Sequence, residues 1–294
     1  MPPILYHAIA AFVVLNVVIG LVTYVTLLER KFAARMQSRI GPYYVGWPHG
    51  WLQPIADALK LMMKEDIVPN QADRWVYNLA PLVFLVPCML IFATIPFAPG
   101  LGVADLNIGV LFFLAVSSLE IVGLFMGGWG SHNKYALLSA MRAVNQIIAY
   151  DLPFVFVALI PVVLAGSLQM SAIVAAQSGL FGWYVFYPVL GQRGDQEGDE
   201  GQLAEYAHMI GTSFLGALLF LGGWLGPGPE WLGPLWFLLK AMFVFLVVTW
   251  VRWSFVRIRV DQILAISWKL LLPISLVLLL ATAFVVAYRS AGVA

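Results

Sequence analysis

Long apolar runs alternate with short charged interruptions along the chain. The runs are Ile4–Leu28, Tyr77–Phe97, Ile108–Gly128, Ala143–Ala165, a shorter one ending near Gly191, Glu205–Leu225, Pro234–Trp253 and Trp268–Tyr288. Most approach the roughly 20 residues that an α-helix needs to cross a hydrocarbon core about 30 Å thick. Backbone groups in lipid need partners within the protein, so runs of this length predict helices rather than barrel strands. The expected fold is all-α, a polytopic transmembrane bundle of about eight membrane helices forming one integral-membrane domain over residues 1–294.

A different period follows the first run, which ends in the charge cluster Glu29-Arg30-Lys31. Residues 29–76 are expected to form a loop outside the hydrocarbon. Within it the chain turns at Gly41-Pro42 and then reads as a half-apolar, half-charged helix from Trp51 to Lys64. Leu52, Ile55, Ala56, Leu59 and Met63 share one stripe, with Asp57, Lys60 and Lys64 off it. That pattern predicts an amphipathic helix lying in the membrane interface.

Composition agrees: 62% of residues are hydrophobic, 11% are charged and the mean hydropathy is +0.89, more apolar surface than a soluble domain of this length buries. The net charge of +1 conceals an uneven distribution. Threading the runs through alternate sides collects Arg30, Lys31, Arg35, Arg39, Lys60, Lys64, Arg74, Lys134, Arg142, Arg252, Arg257, Arg259 and Lys269 in one compartment. The positive-inside rule makes that side the cytoplasm and puts both termini outside. The first run lacks a small-residue cleavage site and reads as a retained helix. Cys88 is the only cysteine, which excludes an internal disulfide and a cysteine-held cluster. The four histidines, His7, His49, His132 and His208, have no metal-ligand spacing and read as structural or interfacial. With no phosphate-cradling glycine motif and no dinucleotide fingerprint, the chain itself is expected to hold no cofactor. Membrane lipid is an implied partner; nucleic acid is not.

Four ionisable residues lie inside the apolar runs: Glu120, Asp151, Glu205 and Lys240. Each costs about 2.5–3.5 kcal/mol at a helix centre, so each is expected to face the bundle interior, water or a partner. Glu120 has no cation within a helical turn, and a structural explanation is weakest there. Asp151 precedes Pro153, where a disturbed turn offers hydrogen bonds, and Glu205 sits where a helix N-terminus favours a carboxylate. Lys240 is read as pairing with a carboxylate or lying toward a helix end. Several carboxylates in one bundle supply the groups a proton relay needs.

Taken in order, several segments resemble the quinone-site membrane subunit of respiratory complex I, the H or subunit 1 family of NADH:quinone oxidoreductases. They are Glu29-Arg30-Lys31 through Gly50–Leu61, Trp129–Leu138 with Arg142, Gln146 and Tyr150-Asp151, Leu203–Ala207, Gly222-Gly223-Trp224 with Lys240, and Arg252 through Pro273. The resemblance implies a non-catalytic-alone subunit of a proton-translocating oxidoreductase in a bacterial cell inner membrane, with quinone as substrate. It implies a proton path through Glu120, Asp151 and Glu205. It places Gln37, Arg39, Trp51, Gln53 and Asp57 at the quinone tunnel. Arg30, Lys31, Arg35, Lys134, Arg142, Arg252 and Arg259 would meet other subunits. The implied partners are peripheral electron-transfer arm subunits, neighbouring small membrane subunits and antiporter-like subunits.

Two departures stand out. Ala149-Tyr150-Asp151 replaces the family's usual Ser-Tyr-Glu. A short polar linker over 192–204, carrying Asp195, Glu197, Asp199 and Glu200, stands where the family has a long acidic loop. The short linker keeps two alternatives open: the membrane anchor of a related hydrogenase, and a loop-deleted scaffold without a working quinone site. A stand-alone secondary transporter is disfavoured, because the halves show no internal repeat.

Overall fold

The computed structural model describes residues 3–46, 48–65, 67–177, 183–184, 202–254 and 259–291. Among them the regular elements are helical: α1 (Pro3–Met36), α2 (Gln53–Met62), α3 (Arg74–Leu90), α4 (Gly109–Ser117), α5 (Glu120–Gly130), α6 (Lys134–Ala165), α7 (Met170–Ala176), α8 (Gln202–Phe220), α9 (Gly233–Ser254), α10 (Val260–Ile266) and α11 (Leu272–Ala291). Six stretches of the described residues are long and apolar enough to cross a membrane: Ile9–Met36, Arg74–Thr94, Gly109–Gly130, Lys134–Ala165, Glu230–Ser254 and Val260–Ala291. The run ending near Gly191 and the acidic residues Asp195–Glu200 lie outside the described residues, as does Arg257.

Helix ends differ from the apolar runs for physical reasons. At 1.5 Å per residue α1 rises about 51 Å, well beyond a hydrocarbon core of about 30 Å. Its last turns therefore carry Glu29, Arg30, Lys31 and Arg35 on helix rather than loop. The run Ile108–Gly128 contains a break at Ser118-Leu119, between α4 and α5. Ser117 and Ser118 each donate a hydroxyl to a carbonyl three residues back, at 3.0 and 2.9 Å, and Leu119 N–H bonds the Val116 carbonyl. Such back-bonding competes with the helical ladder and tightens the turn. Glu120 is thereby left at the start of α5 instead of mid-helix. Between α10 and α11 one wide π turn over Ser267–Leu271 precedes Pro273, whose ring disturbs the turn before it.

The bundle has two distinguishable ends. Asp73 N–H bonds the Gly130 carbonyl at 2.9 Å, joining the start of α3 to the end of α5. Arg252 reaches Glu29, which joins α9 to α1 at the same basic end. At the other end, Asp105 accepts from Gln169 and Ser171 at 2.7 Å each. Helix α3 packs along α5, α5 on α6 and α6 on α11, while α8 lies against α1, α3, α7 and α9. The α3–α5 approach needs Gly123: a Cβ there would fall 2.5 Å from Phe84 N. Close backbone packing of this kind substitutes for the weak hydrophobic drive between helices in lipid. Toward the Asp105 end, Phe92, Phe97, Phe214 and Phe237 interlock with centroids 5.1–5.9 Å apart.

Candidate functional site

Glu120 is 4% exposed, enclosed where α5 meets α3 and α8. The kink before α5 and the glycine contact above it bring this carboxylate against Cys88 of α3, whose thiol donates to Oε2 at 3.5 Å. From α8, His208 places Nδ1 3.3 Å from the same oxygen. Asp151 of α6 lies within electrostatic reach of His208 and Glu120, and Glu205 of α8 within reach of Arg252, Glu120 and Glu29. The three carboxylates read from the sequence thus share one interior region.

Glu29, 3% exposed, closes the basic end of this series. Its Oε1 accepts from Arg252 Nη1 at 3.3 Å and from Trp253 Nε1 at 3.2 Å, and the Tyr206 phenol interacts with the same carboxylate. Sequence reasoning missed Glu29, which reads there as one more charge beside Arg30 and Lys31. It also missed His208, although its position three residues after Glu205 puts both on one face of a helix. Arg252, expected to meet another subunit, is turned inward to Glu29 in this chain.

A second group forms where α1 meets α2. Arg30 pairs with Asp57, and Gln53 Nε2 donates to Asp57 Oδ1 at 3.1 Å. Lys31 bonds the His49 carbonyl, with its ammonium 5.8 Å from the Trp51 ring centroid. So the polar side of α2, carrying Gln53 and Asp57, faces α1. The apolar stripe of Ile55, Leu59 and Met62 is uncovered. Gln37 and Arg39 pair with each other at 2.7 Å on the exposed loop after α1. Arg35, Arg142 and Arg259 are exposed, and Lys134 is exposed at the head of α6, lining a polar cleft with Asn70, Gln71 and Asn133.

Among the described residues Lys240 has no carboxylate within salt-bridge distance, and it lies 8% exposed in α9. Its ammonium bonds the carbonyls of Gly223 and Leu225, just past the end of α8, and lies 4.2 Å from the Trp183 ring centroid. It therefore satisfies two carbonyls of the loop that follows α8, with an aromatic face beside it. No group of three or more metal-ligating side chains occurs among the described residues.

Apolar helices of spanning length around a buried acidic cluster define an integral membrane protein built to hold charge inside the bilayer. A family model described as NADH dehydrogenase matches residues 9–192 and 201–283. The chain is 44% identical to the H subunit of NADH-quinone oxidoreductase from Dehalococcoides mccartyi strain CBDB1, over 87% of this chain and 80% of that protein. It is 41% identical to the corresponding H subunit of Geobacillus kaustophilus, covering 93% and 92%, and 40% identical to that of Carboxydothermus hydrogenoformans, covering 93% and 89%. The chain belongs to the H-subunit family of NADH-quinone oxidoreductases, as a membrane component of that enzyme complex. The family match breaks between residues 192 and 201, within the short polar linker.

Proposed function

We propose that this chain shapes the quinone-binding tunnel of a proton-translocating NADH:quinone oxidoreductase and couples quinone reduction to proton movement through its buried carboxylates. Quinone is the substrate of the assembly, and the electron carriers reside in other subunits. The observation that carries the reading is the approach of half-buried Asp151 and Glu205 to buried Glu120, with buried Glu29 at the basic end. Enclosed carboxylates in lipid are costly, and their usual return is a proton or ion pathway. Phe92, Phe97, Phe214 and Phe237 fill the bundle toward the opposite end. The path therefore opens toward the basic end and hands protons sideways to neighbouring membrane subunits.

The tunnel mouth forms at the α1–α2 junction, where Gln53 and Asp57 face inward and Trp51 sits beside Lys31; Gln37 and Arg39 border it on the following loop. Helix α2 lies in the interface with Ile55, Leu59 and Met62 toward lipid. The basic end faces the bacterial cytoplasm and both termini face outward. Arg35, Lys134, Arg142 and Arg259 meet the peripheral electron-transfer arm. With α8 the six apolar stretches make seven crossings, and the run ending near Gly191 lies outside the described residues. The break in the family match supports the reading that residues 192–204 are a shortened counterpart of the family's acidic loop. The relatives named above favour this oxidoreductase over a hydrogenase anchor.

Glu120→Gln in the assembled complex is the test, since it keeps shape and removes only the titrating group. Protons moved per electron should fall several-fold while assembly and subunit content are kept. Undiminished pumping in a fully assembled Glu120→Gln complex would sink the path.

A further inference from the structure

We propose that His208, an imidazole beside the buried carboxyl of Glu120, is the proton carrier linking Glu120 to the half-buried Asp151, a role that rests on the proton path proposed above. His208 is held inside the bundle by α8, and among the described residues its buried Nδ1 finds no hydrogen bond of good geometry. That atom nonetheless stands 3.3 Å from Glu120 Oε2. A buried ring nitrogen without a partner is costly, and a backbone carbonyl or hydroxyl would ordinarily satisfy it. Here the group offered to it is a carboxyl, which can give it a proton or share one. Asp151 of α6 lies within electrostatic reach of both His208 and Glu120.

The surroundings leave that role open. Helix α8 packs against α1, α3, α6, α7 and α9. From α1 comes Glu29, which is engaged by Arg252 of α9. Lys240 of α9 is engaged by backbone carbonyls near Gly223. Helix α3 offers Cys88, which donates to Glu120, and α7 carries no ionisable side chain. Glu205 and Tyr206 lie on α8 itself and act on the Arg252–Glu29 group. Arg252 and Lys240, the cations named here, are thus engaged elsewhere, and His208 supplies a ring that can both accept and donate a proton.

The step balances without a further reactant. The O–H bond of protonated Glu120 breaks as an N–H bond forms at Nδ1, leaving a carboxylate against an imidazolium. The Nε2–H bond then breaks, its electron pair stays on the ring, and the proton goes to the Asp151 carboxylate. The ring is left as its other tautomer, and ring rotation or the reverse exchange resets it. The net change is one proton from Glu120 to Asp151.

The test uses the assembled complex in sealed vesicles, comparing wild type, His208→Gln and Glu120→Gln for quinone reduction and for protons moved per electron between about pH 5 and 8, about one and a half units either side of the ordinary imidazole midpoint. His208→Gln should assemble, keep quinone reduction within about twofold and lose most of its pumping, with a flatter pH profile. Full pumping with an unchanged pH profile in His208→Gln, beside an uncoupled Glu120→Gln, overturns the role of His208 and leaves the path standing. Full pumping in both variants overturns the path itself. If neither His208→Gln nor His208→Asn assembles, His208 is a packing residue and the proposal falls.

Discussion

Arg252, near the end of α9, donates from Nη1 to Oε1 of Glu29 on α1 at 3.3 Å, joining residues 223 positions apart. Glu29 is almost fully enclosed, and its second oxygen has no hydrogen bond of good geometry among the described residues. The pair thus holds one buried charge against a half-buried one, and its two members respond differently to loss. Removing Arg252 strands a carboxylate in a low-dielectric setting, whereas removing both charges does not.

Arg252→Met should therefore destabilise the protein by about 3–5 kcal/mol, the range for breaking a buried pair from one side. Thermal inactivation of the purified complex measures it. Adding Glu29→Gln to Arg252→Met should recover most of the loss. A single Arg252→Met that leaves the inactivation temperature unchanged would show that the pair is screened by water and carries no structural weight.

At Gly123 the prediction is steric. A methyl group there would meet the Phe84 backbone, which cannot move aside as a side chain can. Gly123→Ala should separate α3 from α5 at a cost of about 1–3 kcal/mol, the usual range for overpacking. Separation also withdraws Cys88 from Glu120, so coupling should fall along with stability. Gly20→Ala is the matched control, because nothing lies within 4 Å of the added carbon. Equal behaviour of the two variants in assembly and pumping would refute the packing argument.

What the sequence made legible follows from which signals are local. Spanning helices announce themselves by run length, and Glu120, Asp151 and Glu205 by their cost within those runs. Their gathering in one region was implied by that cost. The charges after Leu28 mark the membrane boundary, but nothing local distinguishes Glu29, which turns inward, from Arg30, which pairs with Asp57. Only the approach of α9 separates them. His208 was hidden for the same reason, since its partner lies on a helix 88 positions earlier in the chain. The kink before Glu120 was nearer to legible: Ser117-Ser118 is a pair whose hydroxyls compete for backbone carbonyls.

Lys240 yields a prediction opposite to that of a relay residue. Its ammonium bonds the Gly223 and Leu225 carbonyls, so Lys240→Met should leave two polar groups short of donors at the end of α8. The expected cost is about 1–3 kcal/mol in stability, read as earlier loss of this chain from the complex during detergent titration. Protons moved per electron should stay at the wild-type value in complexes that survive. A selective loss of pumping with normal stability would transfer Lys240 to the proton path.

The orientation of the bundle is open to direct chemistry because Cys88 is buried and should not compete for a membrane-impermeant thiol reagent. Arg35, Lys134 and Asn107 are exposed, the first two at the basic end and the third in the Asp105 loop at the other. Cysteines introduced at 35 and 134 should react only from the cytoplasmic side and one at 107 only from outside, as the basic residues require. Inverted and right-side-out vesicles from one preparation supply both faces. Reaction of positions 35 and 134 from opposite faces would break the two-ended arrangement that joins α1, α3, α5 and α9. Reaction of all three from reversed sides would keep that arrangement and overturn only the assignment of the basic end to the cytoplasm.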